Sequence, residues 1–186
     1  MARPLAGALS PPVLPAHPAT AGRDHATVTT AAPERLQRIV DLFAGAPKEL
    51  RVQALLDYSR RLPPLPPDLA GNRHTMERVP ECQTPFFLST SVGDDGRVSL
   101  WFDVPAEAPT TRGFAAVLAG GLDGAPAEEV LATPDDFYLR MGLAEVISSL
   151  RLRGMGAILA RLKRQVRDQL AAPGRPPAGD RTAPPG

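Results

Sequence analysis

The chain has 186 residues, 43% of them hydrophobic, and a formal net charge of +1. This length fits one domain with tails, and the hydrophobic fraction is sufficient for a core. The nearly balanced charge argues against a dedicated nucleic-acid-binding protein, whose affinity depends on an excess of Lys and Arg. No apolar run approaches the length of a bilayer span, and no signal-peptide pattern opens the sequence. One cysteine and no export signal predict a cytoplasmic protein that does not bind membranes.

Both ends of the chain are rich in proline and small residues. Residues 1–32 and 172–186 contain Pro-Pro pairs and show no apolar periodicity. Segments of this composition cannot bury enough apolar surface to offset the entropy lost on ordering. We therefore predict two disordered tails, residues 1–32 and 172–186, around a single folded domain over residues 33–171.

Two helices are predicted at the start of this domain. The first begins near Pro33 and is ended by Gly45 and Pro47. Its apolar positions recur at helical spacing in Leu36, Ile39, Val40 and Phe43. The second fits residues 47–61, with an apolar residue at every fourth position in Leu50, Ala54, Tyr58 and Leu62. The proline-rich segment 63–67 then stops this helix and predicts an extended connector.

A change to period-2 alternation predicts a β-hairpin in the middle of the domain. Residues 86–92 and 98–102 alternate between the two faces of a strand, and they flank Gly93-Asp94-Asp95-Gly96. A Gly/Asp cluster between two alternating runs is a strong turn signal. The pattern therefore predicts two antiparallel strands, with Pro85 at the start or edge of the first.

Helical patterns return after the hairpin. A helix capped by Thr110 or Thr111 is expected to run to about Ala119 and to end at Gly120-Gly121. Residues 126–131 predict a short helix, and Thr133 is expected to cap another. Helices before and after a small antiparallel sheet indicate an α+β domain.

The last helix has the clearest pattern. Its apolar stripe consists of Met155, Ile158, Leu159, Leu162, Val166 and Leu170. The basic residues lie largely off this stripe and predict a solvated face, formed by Arg161, Lys163, Arg164 and Arg167. Arg151 and Arg153 stand at the start of the helix, away from the end that favours cations. Two interpretations remain open for them, a salt bridge within the domain or contact with a partner.

Cys82 is the only cysteine of the chain and lies between Pro80 and Pro85, just before the first predicted strand. One thiol excludes an intrachain disulfide and cannot supply the several thiolates of a typical zinc or iron–sulfur site. Two interpretations remain open. The thiol is either an inert, buried apolar group or a single nucleophilic sulfur on a loop that enters the hairpin.

The residues near Cys82 do not supply an obvious activating base. His74 lies eight residues upstream and is expected to be solvated, and Glu81 would disfavour a thiolate because the two charges are alike. These features argue against a cysteine protease. The absence of a second cysteine argues against a peroxidase that carries its own resolving thiol. The site is better suited to accept sulfur from an activated donor.

Four short segments follow one another along the chain in a specific order. Arg61-Leu62-Pro63-Pro64-Leu65 resembles an Arg-Leu-Pro-x-Leu motif, and Val79-Pro80-Glu81-Cys82-Gln83-Thr84 resembles a Val-x-Gly-Cys-Gln-Ser motif. Arg112-Gly113 matches a Lys-Gly pair, and Arg151-Leu152-Arg153-Gly154-Met155 resembles a Ser-Arg-x-x-Gly-Leu stretch. In this order and spacing, over most of residues 35–168, the chain resembles the SufE family of cysteine desulfuration proteins.

The resemblance implies a SufE/IscU-like single α+β domain, with a small antiparallel sheet packed by N- and C-terminal helices. It implies that Cys82 takes sulfane sulfur from the persulfide of a SufS-like cysteine desulfurase, stimulates that enzyme, and passes the sulfur to an iron–sulfur scaffold. Gln83, Arg112 and Arg151 would bind the partner or shape the loop. No cofactor or metal is expected on this chain, because pyridoxal phosphate belongs to the desulfurase. The chain would be a sulfur-transfer accessory protein, not a stand-alone enzyme.

One departure from the family pattern lies beside the thiol. Glu81 stands where the motif has glycine, and it adds a negative charge next to Cys82. Two other functions remain as alternatives. One is a non-catalytic binding or scaffold module of the same fold with an inert cysteine. The other is a thiol redox sensor, which requires an exposed cysteine of low pKa.

Overall fold

The computed structural model describes residues 32–172. Seven α-helices occur in this range: α1 (Glu34–Gly45), α2 (Lys48–Ser59), α3 (Pro67–Ala70), α4 (Pro109–Leu122), α5 (Ala127–Ala132), α6 (Phe137–Arg140) and α7 (Ser149–Ala171). The same range contains the strands β1 (Glu77–Arg78), β2 (Phe87–Val92) and β3 (Val98–Asp103). It also has short 3₁₀ turns at Arg73–Thr75 and Leu143–Glu145. Apart from Ala32 and Ala172, the predicted tails, residues 1–32 and 172–186, lie outside the described residues.

The three strands form one antiparallel sheet in the order β1-β2-β3. The predicted hairpin is confirmed, since β2 and β3 pair from Phe87 opposite Asp103 to Val92 opposite Val98. Alternate residues of both strands form the buried face, namely Leu88, Thr90, Val98, Leu100 and Phe102. Strand β1 was not predicted, because two residues are too few to show an alternating pattern.

Helix α4 lies at the centre of the domain, with nine of its 14 residues buried. Helices α1 and α2 pack on it, and it also contacts β3. The prediction that Gly120-Gly121 ends this helix is wrong, because α4 continues to Leu122. A Cβ atom at Gly121 would lie 2.7 Å from the Cδ1 of Leu36. This glycine therefore allows α1 to approach α4 closely and does not act as a helix terminator.

The predicted apolar stripe of the second helix is confirmed for Ala54, Tyr58 and Leu62, which pack in or against the core, but it is wrong for Leu50. Leu50 is 55% exposed, whereas Leu55, which the stripe did not include, is fully buried. An α-helix turns once every 3.6 residues, so positions chosen at every fourth residue drift away from one face. The drift places Leu50, at the start of the helix, away from the core-facing side that Leu55 occupies.

The two predicted threonine caps are not formed. Helix α4 begins at Pro109, whose missing N–H suits a first helical position, so Thr110 and Thr111 lie inside the helix. Thr133 follows α5 instead of opening the next helix, and its hydroxyl donates to the Glu129 carbonyl oxygen at 3.1 Å. These segments start helices without the side-chain caps that their sequences suggested.

Helix α7 packs on β2, and one side chain joins the two elements. The Gln169 amide donates to the carbonyl oxygen of Thr90 at 3.0 Å and to its hydroxyl at 2.9 Å. Its oxygen accepts the Val92 N–H at 2.9 Å. The predicted apolar stripe of the helix is buried from Met155 to Val166, while Leu170 is exposed. The described residues thus form the predicted α+β domain, a small antiparallel sheet packed by helices from both ends of the chain.

Lys163 does not belong to a solvated face. It is buried, and its ammonium donates to the Thr133 carbonyl oxygen and to Asp135, the latter at 2.6 Å. A buried ammonium needs such partners, because leaving it unpaired in the interior would cost on the order of several kcal/mol. The lysine therefore ties α7 to the turn after α5.

Candidate functional site

Cys82 lies in the segment that connects β1 to β2, residues 79–86, here called the thiol loop. The Val79 N–H donates to the Phe86 carbonyl oxygen at 2.9 Å, which extends the strand pairing and closes the base of the loop. The Cys82 N–H donates to the Val79 carbonyl oxygen at 3.2 Å and forms a turn. Val79 and Phe86 are buried, so a short anchored loop presents the cysteine.

The first turns of α7 form the wall against which the thiol rests. A Cβ atom at Gly154 would lie 3.2 Å from the Cys82 Sγ, closer than side chains normally approach. The thiol donates a weak hydrogen bond to the Gly154 carbonyl oxygen, with a sulfur–oxygen distance of 3.8 Å. Glycine at this position therefore makes room for the sulfur, which is partly buried.

A cleft of about 170 Å³ opens beside the thiol. It is bounded by the thiol loop, by the segment that leads into α4, and by the start of α7. Its lining combines the thiol with polar and charged groups, including Cys82, Gln83, Glu107, Thr111 and Arg151. A space of this size holds several water molecules, since one water needs only about 10–15 Å³ of such volume.

The surroundings of Cys82 favour its protonated form. Burial raises the pKa of the Cys82 thiol, and the Glu81 carboxylate raises it further, while the Arg161 guanidinium lowers it. The net result is a pKa of about 11. Near neutral pH the free protein therefore carries a thiol and very little thiolate.

The charge of Glu81 is paired. A terminal nitrogen of Arg161, Nη2, donates to both carboxylate oxygens of Glu81 at 2.8 Å. Arg161 also lies near Glu77 of β1, with its Nε 3.7 Å from a carboxylate oxygen. The prediction of a solvated basic face is therefore wrong for Arg161, whereas Arg164 is exposed as predicted and pairs with Glu77 at the surface. This arrangement shows how an acidic neighbour is accommodated beside the thiol.

Two of the three predicted auxiliary residues share the cleft with Cys82. Gln83 and Arg151 both line it, although they come from different parts of the chain. Arg151 and Arg153 are exposed, and neither forms an ion pair within residues 32–172. The interpretation of these two arginines as internal salt-bridge partners is therefore wrong. Contact with a partner remains a prediction.

Arg112, the third predicted auxiliary residue, lies outside the cleft lining. Its Nε donates to the Ser59 carbonyl oxygen at 3.1 Å, and its Nη1 donates to that of Val104 at 2.7 Å. These bonds connect the end of α2 to the segment between β3 and α4. Arg112 can thus shape one wall of the cleft only indirectly, and its role remains a prediction.

Within residues 32–172, the cleft lining contains no histidine that could act as a base for the thiol. His74 is exposed and does not line the cleft. Among the residues that the structure describes, no three His, Cys, Asp or Glu side chains are arranged to hold a metal ion. In the same part of the chain, no helix is both long and apolar enough to cross a membrane.

Sequence reasoning missed the role of Arg161. A helical signal could have found it, because Gly154 and Arg161 are seven residues apart and so lie on one face of a helix, two turns from each other. Once Gly154 faces the thiol loop, Arg161 must face the same loop. The apolar pattern alone predicts Arg161 on the solvated face, because it contains no information on which segment packs beside the charged residues.

The fold and the site define a class: a small α+β domain that presents one cysteine on a short loop beside a cleft. The family model described as SufE, Fe-S metabolism associated domain, matches residues 37–166. Because this match covers well over half of the chain, the protein belongs to the SufE family. The resemblance inferred from the motifs is confirmed, and it gives the chain a role in Fe–S metabolism.

Relatives and a solved structure agree with this assignment. The chain is 50% identical over 142 residues to an uncharacterized SufE-like protein of Mycobacterium tuberculosis, covering 76% of this chain and 98% of that protein. It is 25% identical over 132 residues to the cysteine desulfuration protein SufE of Plasmodium vivax, covering 69% and 51%. The solution structure of a hypothetical protein from Thermus thermophilus is 47% identical, with a TM-score of 0.67 over 76% of this chain and 99% of that chain. The predicted fold class is thus confirmed.

Proposed function

We propose that this chain is a sulfur carrier, in which Cys82 accepts sulfane sulfur from the persulfide of a cysteine desulfurase and passes it on for iron–sulfur cluster assembly. The observation that carries the proposal is the meeting of Cys82, Gln83 and Arg151 at one cleft. These residues come from two distant segments, and both segments carry the family motifs. Membership of the SufE family supplies the context of Fe–S metabolism.

The transfer is a thiol exchange in which atoms and electrons balance. The Cys82 thiolate attacks the terminal sulfur of the donor persulfide, so a new S–S bond forms at Cys82 Sγ and the S–S bond of the donor breaks. The desulfurase cysteine leaves as a thiolate, and the proton lost by Cys82 goes to this leaving group or to solvent. The transferred sulfur keeps its oxidation level, so the step needs no oxidant.

The environment of Cys82 suits a carrier that is inactive until it meets its donor. A pKa of about 11 keeps the free thiol protonated, which limits side reactions. In the proposed complex, a thiol turned into the cleft approaches the cationic Arg151, and a nearby cation favours the thiolate. The chain has no second cysteine, so a persulfide on Cys82 cannot be discharged as an intrachain disulfide.

The proposed partners follow from this reaction. The donor is a SufS-like cysteine desulfurase, whose own pyridoxal phosphate releases sulfur from cysteine. Removal of that sulfur by Cys82 would stimulate the enzyme, and an iron–sulfur scaffold would receive it. A free thiol is kept reduced in a reducing compartment, which is consistent with the expected cytoplasmic location.

Intact-mass measurement tests the proposal. The protein is mixed with a pyridoxal-phosphate cysteine desulfurase and cysteine, and we expect a mass increase of one sulfur atom that a reducing agent removes. The Cys82→Ser variant should show no increase, because it lacks the attacking sulfur. A stable complex with the desulfurase but no added sulfur would contradict the carrier and favour a binding module of the same fold.

A redox sensor is the less favoured alternative, for a physical reason. Sensor cysteines are accessible and ionise readily, whereas burial and Glu81 raise the pKa of Cys82. Rapid oxidation of Cys82 by peroxide in the absence of a desulfurase would reverse this preference. We therefore treat peroxide as the control reagent in the same mass assay.

A further inference from the structure

The thiol loop is held against α7 by an ion pair next to the thiol. Nη2 of Arg161 donates to both oxygens of Glu81 at 2.8 Å. The side chain of Arg161 is 23% exposed and that of Glu81 is 48% exposed, so the pair is partly shielded from water. Charge-assisted hydrogen bonds in such settings are stronger than those between neutral groups. The contact is therefore capable of deciding whether the loop stays in place.

Cys82 packs against the core, but few other polar side-chain contacts hold the loop at this point. Between residues 80–85 and α7, the polar contacts of the described structure are the Glu81 pair and the weak thiol bond to Gly154 at 3.8 Å. The remaining anchors are backbone bonds at the base and in the turn, from Val79 to Phe86 and from Cys82 to Val79. Loss of the ion pair would leave the tip of the loop without a strong attachment to the helix.

Arg161 has a second carboxylate within reach. Its Nε is buried without a hydrogen-bond partner and lies 3.7 Å from Glu77. Glu77 belongs to β1 and already accepts hydrogen bonds from Arg164 and from Gln165, so it is fixed independently of the loop tip. A guanidinium released by Glu81 could therefore shift to Glu77 without leaving its position on α7. This second acceptor reduces the cost of breaking the first pair.

We propose that Arg161 is a positioning residue for the Cys82 thiol: its ion pair with Glu81 latches the thiol loop against α7, and release of Glu81 to solvent frees the loop while Arg161 moves to Glu77. Arg161 does not touch the reacting sulfur and acts through Glu81. The use of this latch in sulfur transfer rests on the proposed function. The latch itself is a property of the free protein and can be tested without a desulfurase.

Amide hydrogen exchange of the loop is the direct test. In Arg161→Gln and in Glu81→Gln, we expect the Cys82 amide to exchange about threefold to tenfold faster than in the wild type, the size of effect that the net contribution of one typical hydrogen bond gives. The double variant should exchange no faster than either single variant, because both substitutions remove the same contact. Arg167→Gln is the matched control. It removes an exposed cation of the same helix that forms no ion pair with Glu77 or Glu81 within residues 32–172, and the Cys82 amide should be unaffected.

Salt dependence supplies a readout that a purely steric role would not change. At about 1 M NaCl the screening length falls to about 3 Å, so the exposed side of the pair is weakened. Exchange at Cys82 should accelerate in the wild type and stay constant in Glu81→Gln. Alkylation of Cys82 by iodoacetamide, a neutral reagent, should likewise become faster at high salt in the wild type and stay constant in Glu81→Gln.

The outcomes separate clearly. Unchanged exchange in Arg161→Gln and Glu81→Gln, or equal acceleration in Arg167→Gln, would overturn the latch. So would a double variant whose effect is the sum of the two single effects. None of these measurements involves sulfur transfer, so a latch that fails leaves the proposed function standing, and a failed mass assay leaves the latch standing.

Discussion

The core of the domain and the edge that carries the thiol both depend on a glycine at a close contact, but the two contacts differ in kind. At Gly113 of α4, a Cβ atom would lie 2.9 Å from the carbonyl carbon of Leu55 in α2, and closer still to its oxygen. At Gly154 of α7, a Cβ atom would lie 3.2 Å from the Cys82 sulfur. The backbone of a packed helix cannot yield, whereas a side chain on a short loop can. The core contact is therefore rigid, and the contact at the site is adjustable.

The forces around these glycines differ in the same way. Gly113 sits among fully buried apolar residues, where packing fixes the helix positions. The loop opposite Gly154 is held by an ion pair between Glu81 and Arg161 that is partly open to water. Screening by salt affects the second arrangement and leaves the first almost unchanged. The thiol edge is thus built on the less rigid of the two contacts.

The largest expected effect comes from breaking the core contact. Gly113→Ala places a methyl group onto the Leu55 backbone, and we expect a loss of unfolding free energy of about 3 kcal/mol or more, at the upper end of overpacking effects. Urea denaturation monitored by circular dichroism measures it. Gly120→Ala is the matched control in the same helix, because its Cβ would meet only Ile39 at 3.4 Å. There the better helix propensity of alanine should leave stability unchanged or raised by up to about 1 kcal/mol. Equal losses in both variants would contradict a clash specific to Gly113.

Features of the fold that depend on apolar periodicity could be predicted from the sequence. The hairpin and the buried stripe of α7 follow directly from alternating and helical spacing, and both are confirmed. Glycine was interpreted as a helix end at Gly120-Gly121, where it serves helix contact instead. A close approach between two helices depends on tertiary packing, which a local pattern does not contain.

The motifs identified the thiol, and the structure added what surrounds it. Cys82, Gln83 and Arg151 were named from the sequence and meet at the cleft. The pairing of Glu81 with Arg161 was not foreseen, because the two residues are far apart in sequence and each was judged by its local composition. An ion pair between distant segments is a tertiary contact, which local composition does not contain.

A smaller effect is expected in the reactivity of the thiol at the adjustable edge. Compared with a small thiol of ordinary pKa, Cys82 should be alkylated by iodoacetamide about tenfold to hundredfold more slowly at pH 8. The pKa of about 11 lowers the thiolate fraction about a hundredfold, and the greater nucleophilicity of a more basic thiolate recovers part of this loss.

The sign of the pH dependence follows from the same shift. Because the pKa of Cys82 is raised, the thiol stays protonated as the pH rises through the range where an ordinary cysteine ionises. The alkylation rate should therefore keep increasing from pH 7 to about pH 10 without a plateau. Rates measured by mass spectrometry that level off below about pH 9 would indicate a stabilised thiolate and would favour a sensor.

The smallest expected effect comes from filling the space at Gly154. In Gly154→Ala the added methyl group crowds the Cys82 sulfur, so the thiol should lose its contact with the Gly154 carbonyl oxygen and turn toward the cleft. We expect alkylation to become about threefold faster, while stability changes by less than about 1 kcal/mol because the higher helix propensity of alanine offsets the crowding.

A second glycine of the same helix provides the control for this effect. In Gly156→Ala the methyl group would meet the hydroxyl of Tyr138 at 2.9 Å and would not approach the thiol. Its alkylation rate should equal that of the wild type. If Gly154→Ala left the rate unchanged, or lost as much stability as Gly113→Ala, the sulfur would be held as rigidly as the core. The contact at Gly154 would then not be more adjustable than the contact at Gly113. The distinction between them depends on the Cys82 sulfur being displaced at low cost in free energy.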